Sequence, residues 1–147
     1  MTAVSANGFK TRHTRTGRPQ DIDGDYDSDW NPRVSGSNGG RFDPPSKALV
    51  FPLDAGRQWP NNYRLTFPTG GSAQVEGEAK LQTPAGEFDV VRIDFKGYSR
   101  LGSGGFHFTQ SLWYAPAIDR LVRLEYKEIR TMGADNVTEL KSFKPGP

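Results

Sequence analysis

Cysteine does not occur among the 147 residues. Disulfides, thiolate nucleophiles and cysteine-based metal sites are therefore excluded. Histidine is scarce, and His13 and His107 are the two candidates for an imidazole base. No apolar run approaches the roughly 20 residues that a membrane-spanning helix needs. Met1 to Val4 lead into no apolar h-region, so no signal peptide is expected, and the chain reads as a mature exported form or as a cytoplasmic protein. A charge excess is also missing. Nineteen basic and 17 acidic residues leave +2, too balanced to imply a nucleic-acid partner, which calls for a concentrated basic face. No window carries a 3.6-residue period with caps, so little helix is expected. Apolar residues make up 34% of the chain, which makes the core lean.

What the chain has is alternation, after a polar start. Residues 1–46 are rich in Gly, Ser, Asn, Asp, Arg and Pro, and they read as a polar N-terminal extension. Within it, Lys10, Arg12, His13, Arg15 and Arg18 suggest a short exposed strand at about 8–15 or a disordered arm. Residues 47–147 read as a β domain with strands at 58–67, 71–83, 87–99, 105–114, 120–130 and 137–143. Pro60 marks its strand as an edge or a bulge. Ala73, Val75, Gly77, Ala79 and Leu81 share one face of the second strand, opposite Gln74, Glu76, Glu78, Lys80 and Gln82. Val91, Ile93 and Phe95 share a face of the third. Phe106, Phe108, Leu112 and Tyr114 oppose His107, Thr109, Ser111 and Trp113 on the fourth. Val122, Leu124 and Tyr126 point inward on the fifth, with Arg123, Glu125 and Lys127 outward. Pro84 and Gly86 suit a tight hairpin turn, since proline presets φ and glycine accepts positive φ. The expected fold is all-β: an antiparallel meander forming a curved sheet, half-barrel or sandwich.

Enzyme signatures are weak. Asp21, Asp23, Asp25, Asp27 and Asp29 alternate along one stretch, and a hard cation such as Ca²⁺ takes roughly six to eight oxygens. The EF-hand pattern fails, because its sixth and twelfth positions would be Tyr26 and Pro32. On an extended strand the carboxylates stand about 7 Å apart, too far for one ion. The alternative is a solvated acidic strand with Tyr26 and Trp30 packed inward, paired with the basic arm as its neighbour. Ser103, in Gly102-Ser103-Gly104-Gly105, lacks the spacing of a nucleophile elbow, and the same glycines fail as a phosphate loop. Glu76, Glu78, Glu87, Asp89 and Asp94 supply carboxylates for glycoside hydrolysis, but no pair stands out. No metal and no cofactor is expected.

Aromatic residues make up 12% of the chain and are first of all core material. Trp59, Phe95, Phe106, Phe108, Trp113 and Tyr126 are the candidates to line a concave apolar site. Three segments carry a resemblance: Phe51-Pro52-Leu53 with Gly56 and Trp59; Thr83-Pro84-Ala85-Gly86 with Phe88, Asp89, Arg92 and Ile93; and Trp113-Tyr114 with Pro116, Arg120, Leu121, Val122 and Arg123. In this order they resemble a family of uncharacterised proteobacterial envelope proteins, exported or lipid-anchored and β-rich, over about residues 48–143. The resemblance implies a periplasmic or envelope location and assigns no catalytic residue. The expectation is a non-enzymatic β protein binding a lipid-like or small apolar ligand, or an envelope protein, on a curved sheet. Two alternatives stand beside it. One is a structural or protein-interaction module acting through an edge strand, either the N-terminal strands or the Pro60 edge. The other is a hydrolase using carboxylates or His107.

Overall fold

A computed structural model describes residues 3–5, 8–13, 22–27, 29–34, 41–43, 46–65, 67–130, 133 and 135–140. They form two antiparallel sheets, each a meander in chain order. The smaller comprises β1 (Ala3–Ser5), β2 (Gly8–His13), β3 (Ile22–Tyr26) and β4 (Pro32–Val34). The larger comprises β5 (Gln58–Arg64), β6 (Pro68–Thr83), β7 (Gly86–Leu101), β8 (Gly104–Ala115), β9 (Arg120–Ile129) and β10 (Asp135–Glu139). It is open, with β5 and β10 as its edges, so it does not close into a barrel. Among the described residues the helical content is one 3₁₀ turn, Pro116–Ile118.

The all-β, antiparallel expectation is met, and strand ends differ by a few residues. The basic arm does become the neighbour of the acidic stretch. In the β2–β3 register Lys10 stands opposite Asp25 and Arg12 opposite Asp23. Asp21, Arg15, Arg18 and residues 141–143 lie outside the described residues. The β6–β7 turn is built as its sequence suggests. Gly86 sits at φ +129°, and the Thr83 hydroxyl accepts from the Ala85 amide (3.2 Å) and donates to the Gly86 carbonyl (3.1 Å).

Two β-bulges change which residues share a face. In β6, Val75 pairs with Ile93 and Gly77 with Arg92, so Glu76 is an extra residue. Gly77 takes φ +131°, a region that only glycine enters without strain. The extra residue moves Gly77, Ala79 and Leu81 to the face opposite Ala73 and Val75, which corrects the single apolar face expected for this strand. In β9, Trp113 pairs with Arg123 and Tyr114 with Leu121, leaving Val122 extra. Val122 therefore leaves the face of Leu124 and Tyr126, where alternation had placed it.

The large sheet consequently buries apolar residues on both sides. One face, the core face, holds Ala73, Val75, Val91, Ile93, Phe95, Phe106, Phe108, Leu112 and Tyr114. Trp30, Leu49 and Trp59 are buried in the same cluster, with Tyr26, Val50 and Leu53 against it. Trp30 and Tyr26 thus reach the core from the stretch that reads as polar. The second cluster, on the other face, gathers Val90, Trp113, Ala115 and Val122, with Leu81, Phe88, Ile118 and Leu140 packed on it. Full burial of each Val or Ile stabilises by roughly 1.5–3 kcal/mol, so the bulges gain a second source of stability for a lean chain.

Candidate interaction surfaces

The core face is closed by the chain itself. Residues 46–53 cross it, and their backbone groups are held by side chains. The Trp59 indole donates to the Lys47 carbonyl (2.8 Å), and Asn61 accepts from the Lys47 amide (2.8 Å) while donating to the Ser46 hydroxyl (3.0 Å). Asn31 accepts from the Leu49 amide (2.8 Å), and Arg57 donates to the carbonyls of Val50 and Pro52. Of the six aromatics singled out in the sequence, Trp59, Phe95, Phe106 and Phe108 are buried in this cluster and Tyr126 packs against it. Phe95 meets Phe108 edge-on at 5.5 Å, and Phe108 meets Tyr126 at 5.2 Å. Their rings fill the space with one another.

Trp113 is not among them. It lies on the opposite face, its ring between the guanidinium groups of Arg92 (5.2 Å) and Arg123 (5.4 Å). Those cations are in turn neutralised. Arg92 bonds Asp94 (2.8 Å), a contact that raises its pKa further, and Arg123 bonds Glu125 and Glu139 (2.8 Å to the latter). The upper part of this second face is therefore a closed, charge-balanced layer over Trp113.

The catalytic candidates are dispersed. His107 is exposed, with its ring 4.7 Å from that of Tyr98. Among the described residues no carboxylate bonds to it. Ser103 is exposed in the β7–β8 turn, and His13 is on β2. Glu87 and Asp89 flank Lys80 (3.9 and 3.5 Å), whereas Glu76 and Glu78 are exposed. The groove beside them, about 580 Å³, is lined by Glu78, Lys80, Asp89, Val90, Val91 and Pro116. Asp27 uses one oxygen to cap the amides of Asp29 and Asn31 (2.9 and 2.8 Å), and Asp25 bonds Arg33 (3.0 Å). Among the described residues no group of three His, Cys, Asp or Glu side chains is placed to hold a metal ion. Tyr63, Tyr114 and Tyr126 all have raised pKa values, chiefly through burial. Tyr114 and Tyr126 also donate to Asp119 and Glu128, which favours the neutral phenol.

The two edges of the large sheet differ. Along β5, Asp43 donates to the Arg64 carbonyl (2.7 Å), residues 46–47 are tied to Asn61 and Trp59, and Pro60 removes a donor. Pro60 lies on an edge strand as expected, but that edge is covered, which counts against it as the docking edge of an interaction module. Among the described residues β10 has no comparable cover. Asp135, Asn136, Val137 and Thr138 are exposed, Val137 at 55%. The Leu140 amide donates inward to Val122, so by alternation the amides of Val137 and Glu139 point outward.

Sequence reasoning overlooked Tyr98, Arg100 and Asn62, which border a shallow cavity of about 260 Å³. The signal was present: Tyr98 is an aromatic on the polar face of a strand whose other face carries Ile93 and Phe95. No helix among the described residues is long and apolar enough to cross a membrane. No protein-family model, no curated protein and no solved structure matches the chain.

Proposed function

We propose that the chain is a non-enzymatic protein-interaction module that receives an extended partner strand at β10. The observation that carries this reading is the asymmetry of the edges: β5 is covered and proline-blocked, and β10 presents outward amides and an exposed Val137. A lipid-like occupant of the aromatic face is less well supported, because the chain's own side chains fill that face. On the resemblance of the three motif segments we place the module in the periplasm or envelope, which cell fractionation tests.

The charge pattern narrows the partner. Asp135, Val137 and Glu139 lie on one face of β10. A second copy pairing antiparallel about Val137 would set Asp135 against Glu139 of its twin, and like charges directly opposite destabilise. A basic–x–apolar–x–basic strand meets the same three positions favourably. The probe is a short peptide centred on Lys-Thr-Val-Thr-Lys. Peptide binding should slow hydrogen exchange at Val137 and Glu139 by tenfold or more, on the order of one ligand-linked protection step. Val137→Pro should retain the fold and lose the peptide, since proline is tolerated where an edge amide faces solvent. Absent protection, or equal binding by Val137→Pro, overturns the reading.

A further inference from the structure

The lower part of the second face is open, and its residues form rows across the strands. The central row runs Asn62, Gly70, Tyr98, His107 and Ile129 from β5 to β9. The Tyr98 and His107 rings are in contact at 4.7 Å, tilted by 56°, and Ile129 is 60% exposed. A Cβ on Gly105 would stand 2.2 Å from the Ser99 carbonyl oxygen and 2.7 Å from the Tyr98 ring, so this glycine leaves the room that the ring occupies. The two flanking rows are basic. Lys96 and Lys127 stand on one side, with Thr109 between them, and Arg64 and Arg100 on the other. All four cations are exposed, and among the described residues none is ion-paired. Among the described residues, Asp135 stands opposite Lys127, and Asp43 neighbours Arg64 through its backbone amide. Asp94, Glu125 and Glu139 lie higher on the face and are bonded to Arg92 and Arg123. Pairing within the upper rows thus leaves the unpaired positive charge concentrated around the aromatic pair.

We infer that this row is a platform for single-stranded nucleic acid, with bases on Tyr98 and His107 and phosphates on the flanking cations. Aromatic faces between basic rows suit a strand whose bases are unstacked, and every base offers a planar face. The row crosses five strands, a span of about 19 Å at the usual strand spacing, enough for a short run of nucleotides. A polyanion without bases satisfies the cations and leaves the rings without partners. A duplex keeps its bases stacked inside. The whole-chain charge of +2 averages this placement away, because acids paired elsewhere cancel the count without neutralising the patch.

The test is fluorescence anisotropy with a labelled oligothymidylate of about 15 nucleotides, within the site sizes known for sheet platforms. Three competitors accompany it: a duplex of equal length, a sulfated glycan and phosphatidylglycerol vesicles. Micromolar binding is expected, with a salt slope near −3, from four phosphates at about −0.7 each. Lys96→Glu with Lys127→Glu should weaken binding at least tenfold and roughly halve that slope. His107→Ala, at an exposed position, should weaken binding about tenfold with the slope unchanged. Val137→Pro should bind the oligonucleotide like the wild type, which separates this site from β10. No binding overturns the proposal. So does equal or tighter binding of the duplex, the glycan or the vesicles, or indifference to His107→Ala.

Discussion

The Trp30 indole donates to the backbone carbonyl of Asp119 at 3.0 Å, and both residues sit in the left-handed region, at φ +64° and +50°. A bulky side chain rarely adopts that conformation. The surrounding structure holds it: Trp30 is 4% exposed beside Tyr26, with rings 5.3 Å apart, and the Asp119 carboxylate accepts from Tyr114. One contact across 89 residues fastens the N-terminal segment to the far end of β8.

Trp30→Phe keeps a ring in the core and removes the bond, so it should cost about 1 kcal/mol. Trp30→Ala leaves a cavity and should cost about 3–5 kcal/mol. Urea unfolding of both variants measures this. If Trp30→Ala stays within about 0.5 kcal/mol of wild type, the usual range for surface changes, then residues 25–34 stand outside the cooperative core.

Gly77→Ala tests the bulge that divides β6. No heavy atom lies within 4 Å of the added methyl, so the cost is backbone strain at φ +131° and not a clash. A loss of about 1–3 kcal/mol is expected, lowering Tm by roughly 2–4 °C per kcal/mol for a chain of this size. A Tm equal to wild type would mean that the bulge does not require a positive φ.

Alkaline pH should unfold the protein. Burial raises the phenol pKa of Tyr63, Tyr114 and Tyr126 above the ordinary value of 10.0, and bonds to Asp119 and Glu128 raise the latter two further. A folded pKa above the unfolded one contributes stability that is complete below about pH 10 and is lost as pH rises toward the folded value. Each phenol steepens the decline by at most about 1.4 kcal/mol per pH unit. Absorbance titration should show three of the five tyrosines ionising together with loss of near-ultraviolet circular dichroism. Ordinary titration near pH 10 with the fold intact would contradict this.

The strands were legible in the sequence because period-2 alternation is a local property, written in residues such as Phe106, Phe108 and Leu112. The turn at Thr83–Gly86 was legible for the same reason, since Pro84 and Gly86 act on their own φ angles. The bulges were not. Val75, Gly77, Ala79 and Leu81 alternate without interruption, and the extra residue exists only relative to Ile93 and Arg92 on the neighbouring strand. The open face was hidden likewise. Tyr98, His107, Lys96 and Lys127 come from three strands, and only their register sets them side by side. The sequence alone determined the element type, most strand spans and the edge position of Pro60, because each depends on a residue and its near neighbours. That Asp43 and Lys47 cover this edge was not legible, because the covering groups lie more than ten residues away in sequence. Tertiary structure decided which face each apolar residue buries, which aromatics meet and where unpaired charge collects, because these depend on pairing between distant strands.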